Sequence, residues 1–168
     1  FRRIKIMKIL IIGPSWVGDS VMAQTLYKRL KKEIPECTID VFCPEWCLTL
    51  TKRMPEVSMG IASPFQHGEV RLISRYNYGK QLRESSYDRS IVLTNSLKSS
   101  LIPFFAQIPI RTGWLGEMRY AFINDIRVLE KKDGNLMVEK FAALSIEKQN
   151  YNLEKLSLPT LQVDLENQ

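Results

Sequence analysis

Apolar and polar residues alternate along this chain in blocks, and the blocks read as strands and helices taking turns. Ile9 to Ile12 is an unbroken apolar run, the pattern of a short strand covered on both faces. Gly13 and Pro14 end it, since proline has no N–H for a ladder and glycine tolerates a sharp turn. Gly18 is read as a position of close backbone approach, and Asp19 as standing where a helix begins. Residues 20–34 then carry Met22, Leu26 and Leu30 at helical spacing. Thr38 to Cys43, closed by Pro44, is a second strand. Together these make a right-handed βαβ unit.

The rest continues in the same manner. Glu45 to Met54 reads as a short helix ended by Pro55, and Met59 to Ala62 as a weak strand followed by a loop, 63–68. A polar helix spans 70–84, and Ser90 to Leu93 is a strand ending in Thr94-Asn95-Ser96. An apolar helix, Leu97 to Ala106, precedes the strand Ile110 to Trp114; Met137 to Lys148 is a last helix. Asn150 to Leu158 reads as polar linker, and Leu161 to Val163 as the start of one more strand or of a crossing. Such alternation predicts an α/β fold, a doubly wound parallel sheet.

Composition narrows the class. The 168 residues are 45% hydrophobic and 25% charged, enough for one domain with a full core and unlike a disordered chain. No apolar run reaches the length of about 18 residues that spans a membrane. The basic, then apolar amino terminus stops at Gly13 without a small-residue cleavage site; read as a strand and not a signal peptide, it predicts a cytoplasmic protein. A net charge of +6 and a pI near 9.3 suit anionic partners without choosing among them. Cys37, Cys43 and Cys47 are an odd count, which favours free thiols. With His67 the single histidine, no zinc site and no cofactor are expected.

Candidate chemistry collects where strands end, because ligands of open α/β sheets bind outside the carboxyl ends of the strands. Asp19 is one candidate, either as a helix N-cap or as a carboxylate that takes a proton from a hydroxyl. The loop GPSWVGD, with bulky Trp16 in its middle, fits neither G-x-G-x-x-G nor the P-loop pattern. Asn95 and Ser96, with Lys98 just beyond, are the second group, and again helix capping competes with binding. Arg111 and Arg119 enclose Trp114 in RTGWLGEMR; a guanidinium suits carboxylate or phosphate, while solvated surface arginine is the plainer alternative.

The segments KILIIGPSWVGDSVMAQTLY, YDRSIVLTNSLKSSLIPFFAQIPIRTGW and GEMRY closely resemble the ADP-heptose:lipopolysaccharide heptosyltransferase II family, within glycosyltransferase family nine. The resemblance runs from Met7 to about Leu158. It implies a GT-B enzyme with two Rossmann-like domains, this chain supplying the amino-terminal, acceptor-binding one over residues 1–158, with 159–168 starting the interdomain linker. It implies inverting transfer of heptose from ADP-heptose to the inner core on lipid A, with Asp19 as general base. The acceptor's carboxylates and phosphates make Lys98, Arg111 and Arg119 expected anion contacts. Gly18, Asn95 and Ser96 belong to the same expected surface, and Trp16 and Trp114 are candidates for stacking on sugars. Arg71, Arg75 and Lys80 are expected to face the acceptor or the inner membrane, which such an enzyme would touch peripherally. The family's second half, which binds the donor, is not among these residues, so the chain is expected to be inactive alone.

Other classes compete. A nucleotide-binding α/β module shares the topology, though the glycine fingerprint is missing. A non-catalytic anion- or membrane-binding module follows from the charge alone. Nucleic-acid binding has no supporting motif.

Overall fold

The computed structural model describes residues 6–66, 69–128, 136–145 and 156–163. His67, the end of the helix expected over 137–148 and most of the 150–158 linker lie outside them.

Six strands form one sheet: β1 (Lys8–Ile12), β2 (Thr38–Cys43), β3 (Met59–Ala62), β4 (Arg89–Val92), β5 (Ile110–Trp114) and β6 (Asp125–Arg127). Their order is β3-β2-β1-β4-β5-β6, and every pairing is parallel. This is the Rossmann-like order, with its topological switch point between β1 and β4. The doubly wound sheet read from the sequence is therefore present.

The sheet is covered on both sides, as its apolar strands require. Ile9, Ile11, Ile39, Val41 and Ile91 point to one face, where α1 (Val17–Glu33), α2 (Leu48–Lys52) and α5 (Met137–Ala142) pack. Leu10, Ile12, Phe42 and Val92 point to the other, under the paired helices α3 (Leu72–Leu82) and α4 (Leu97–Phe105). The period of two along each strand decides which residue meets which layer.

Several elements differ from the sequence reading. Helix α1 opens at Val17, so Asp19 lies inside its first turn, and the N-cap position falls to Trp16. The helix expected over 45–54 divides into a 3-10 turn, Glu45–Cys47, and the short α2. Residues 161–163 form no strand; Leu161 packs on the α1 side of the core and the Gln162 N–H donates to the Arg53 carbonyl. Strand β6 is unexpected, because Asp-Ile-Arg carries no apolar run. Its charges are satisfied by tertiary contacts: Asp125 accepts from Arg89 at 2.9 Å and from Arg127 at 3.1 Å, and Thr112 Oγ1 donates to it at 2.9 Å. All three cysteines are buried thiols.

Candidate functional site

A cavity of about 350 Å³ opens at the carboxyl ends of β1 to β4, over the switch point. Its wall is built from strand-end loops: Gly13 to Trp16 and Asp19 after β1, Pro44 and Trp46 after β2, Ser63 to Gln66 after β3, and Thr94 to Ser96 with Lys98 after β4. The sharp turn after β1 depends on Gly13. A Cβ there would stand 3.3 Å from the Phe42 carbonyl oxygen and 3.4 Å from Val41 Cγ1. Gly18 does not play the part expected of it, for a Cβ at that position would meet nothing within 4 Å.

Asp19 is half-buried in the cavity wall, at the third position of α1. It does not cap the helix, whose N-cap residue makes no side-chain bond. Among the described residues lining the cavity, it supplies the one carboxylate. Trp16 is 72% exposed and Trp46 61% exposed, and both indoles edge the opening. The Trp46 indole N–H donates to the Ser15 carbonyl at 3.1 Å, tying the second aromatic to the Asp19 loop. Trp46 was missed by the sequence reading. The rule that singled out Asp19 and Asn95, a polar or aromatic group just past a strand, would also have found it behind Pro44.

Asn95, Ser96 and Lys98 all reach the cavity. Ser96 occupies the N-cap position of α4, yet neither its hydroxyl nor the Asn95 amide caps the helix. The Leu97 N–H is taken instead by Glu117 Oε2 at 2.9 Å. Thr94 Oγ1 is buried in the same wall without a hydrogen-bond partner among the described residues.

The remaining candidates are not brought to the cavity as expected. Arg111 starts β5, at the opposite end of the sheet from the cavity. Its guanidinium donates to the Phe122 and Ile108 carbonyls at 2.7 Å each and lies over the Phe104 ring. Trp114 is buried in the core on the α1 face, so it cannot stack on a ligand there. Arg119 is only 2% exposed and binds carbonyls, not anions, donating to Thr94 and Trp114 oxygens at 2.6 Å. Burial pushes its guanidinium below the ordinary arginine range, and Glu117 opposes that shift. Arg75 lines the cavity but is likewise engaged, with the Val70, Glu69 and Lys98 carbonyls and the Phe65 ring 4.2 Å away. Burial lowers its pKa, against the pull of Glu69. Arg71 pairs with Glu69 at 3.1 Å at the exposed start of α3, and Lys80 is exposed.

A switch-point cavity edged by two indoles, one carboxylate and one lysine, at the carboxyl edge of a parallel sheet, defines a Rossmann-like domain. The sequence profile of glycosyltransferase family 9 (heptosyltransferase) matches residues 75–168, and the chain belongs to that family. Lipopolysaccharide heptosyltransferase 2 of Salmonella typhimurium is 56% identical over 142 residues, 84% of this chain and 41% of that protein. The Escherichia coli protein of the same name is 54% identical over the same share. The solved structure of E. coli ADP-heptose lps heptosyltransferase II superposes with a TM-score of 0.86 at 47% identity, over 95% of this chain and 48% of that one. A family 9 glycosyl transferase from Veillonella parvula, at 17% identity and a TM-score of 0.79 over 95% of this chain and 46% of that one, shares the fold. The chain thus spans about two fifths of the length of the curated relatives it matches. Among the described residues, no helix is long and apolar enough to cross a membrane.

Proposed function

We propose that this chain forms the acceptor side of an inverting heptosyltransferase. Residues 1–158 constitute the acceptor-binding domain, 159–168 lead into an interdomain linker, and ADP-heptose is held by a second domain across the cleft. The reaction transfers L-glycero-D-manno-heptose to the heptose-primed inner core of lipopolysaccharide. The observation that carries the proposal is the placement of Asp19 in the wall of a cavity that two exposed indoles also line. An acceptor sugar stacked between Trp16 and Trp46 presents a hydroxyl to the Asp19 carboxylate. The carboxylate takes the hydroxyl proton while the oxygen bonds to the anomeric carbon. ADP leaves from the opposite face with the electron pair of the broken bond, and the anomeric centre inverts. Lys98 supplies the positive charge for an acidic group on the acceptor. Arg71 and Lys80, exposed on α3, supply charge toward an anionic membrane face at the cytoplasmic side, where the lipid-anchored acceptor is presented.

Calorimetric titration of the chain with a heptose-primed core saccharide, and separately with ADP-heptose, tests this reading. The saccharide is expected to bind, and the nucleotide sugar is not. Asp19→Asn should keep the saccharide affinity, while transfer in the presence of the donor domain falls by about 10²–10⁴-fold. Binding of ADP-heptose by this chain alone would overturn the division of labour and favour a nucleotide-binding module. Indifference of transfer to Asp19→Asn would remove the base from the mechanism.

A further inference from the structure

Ser96 holds the N-cap position of helix α4 without a side-chain cap bond, and the first amide of the helix is met from elsewhere. The segment 115–119 runs from the end of β5 back across the loop that follows β4. From it, Glu117 Oε2 accepts the Leu97 N–H at 2.9 Å. Two residues on, the buried Arg119 donates Nη1 to the Thr94 carbonyl at 2.6 Å and to the Ser96 carbonyl at 3.4 Å, and Nη2 to the Trp114 carbonyl at 2.6 Å. The segment lies flush on the loop: a Cβ on Gly116 would stand 3.0 Å from the Asn95 carbonyl oxygen and 3.3 Å from Asn95 Cβ. Between the two clamping side chains, Met118 is held at φ 38, a left-handed conformation that costs energy in a residue with a side chain.

The two clamping residues do different work. Arg119 fixes the path of residues 94–96 by their carbonyls, and a second end of its fork fixes the same loop to β5. Glu117 satisfies the amide of Leu97, the first residue of α4 and one of the orphan donors of a helix start that an N-cap side chain does not reach. The Ser96 hydroxyl makes no cap bond to the helix. Asn95 and Ser96 stand in the cavity wall beside Lys98.

We propose that Glu117 and Arg119 are positioning residues: from a neighbouring segment they satisfy the first amide of α4 and clamp the loop before it, so that Asn95 and Ser96 are held facing the ligand. The ligand-facing part of this inference rests on the acceptor reading above; the capping part does not.

Amide exchange on the full chain tests the capping part without any ligand. Leu97 exchange should quicken on the order of tenfold in Glu117→Ala and recover in Glu117→Gln, whose amide oxygen still accepts. Unchanged Leu97 exchange in Glu117→Ala overturns the proposal. Calorimetry with the core saccharide closes the test: Glu117→Ala weakens binding and Glu117→Gln restores it. If the unmodified chain binds but Glu117→Ala binds equally well, the clamp only stabilises and its positioning role falls. Failure of the unmodified chain to bind the saccharide overturns the acceptor reading and, with it, the ligand-facing part, while exchange still decides the cap.

Discussion

At the scale of single residues, the three tryptophans divide the molecule's tasks. Trp114 is buried in the α1-side core, whereas Trp16 and Trp46 are largely exposed at the cavity mouth. Truncating a buried aromatic leaves a cavity that the neighbours only partly refill, so Trp114→Ala should cost about 3–5 kcal/mol in chemical denaturation. Trp46→Ala should change stability by less than about 0.5 kcal/mol. It should instead weaken saccharide binding about tenfold, or about 1.4 kcal/mol. Equal destabilisation by the two substitutions would show that Trp46 is core after all. The sequence marked Trp16 and Trp114 alike as aromatics beside loops. Only the strand's pleat, which turns Trp114 inward, separates them.

At the scale of elements, the packing of α3 on α4 leaves no room for a side chain at one position. Gly79 sits where the two helices meet, and a Cβ there would fall 2.6 Å from Phe105 Cβ and 3.0 Å from the Ala106 nitrogen. Alanine would raise helix propensity by about 1 kcal/mol. Forcing α3 away from α4 costs about 1–3 kcal/mol, and backbone is among the atoms met, so steric cost prevails. Gly79→Ala should therefore lower the unfolding midpoint, and a rise would mean that the helices separate freely. The helix itself was legible in the sequence as a polar helix over 70–84. That its Gly79 meets another helix within van der Waals distance is a fact of the tertiary structure. Strand β6 makes the same point in reverse. Its Asp-Ile-Arg becomes a strand because Arg89 and Thr112, distant in sequence, satisfy Asp125, and no local pattern announces that.

At the scale of the whole molecule, the core holds several ionisable groups in their neutral form. Burial pushes the Cys43 thiol up to about 12, with the neighbouring Cys47 adding to the shift. Burial also raises Tyr27, and it raises Tyr87, which is further raised by its hydrogen bond to Asp40. Each folded pKa lies above the unfolded one, so the stability these groups contribute is complete below the unfolded values and is lost as pH rises through the folded ones. The unfolded chain releases its thiol proton first, from about pH 9, and the folded chain only near pH 12. Denaturation midpoints measured at increasing alkalinity should fall across that window, and Cys43→Ala should make the fall shallower. A midpoint that rises above pH 9 would contradict the burial of these groups.

The sequence by itself determined five of the six strands and the order in which helices follow them: apolar runs closed by Gly or Pro, helical spacing between them, and hence a doubly wound parallel sheet with chemistry at its carboxyl edge. It also placed Asp19, Asn95, Ser96 and Lys98 at that edge, because a residue that follows a strand lies there whatever its neighbours are. The tertiary structure alone decided which arginines reach the cavity. Arg111 and Arg119 carry the same side chain eight positions apart, but one begins a strand at the far end of the sheet and the other lies buried among carbonyls. Charge is a property of the residue. Its availability depends on what has folded around it, and those partners come from distant parts of the chain.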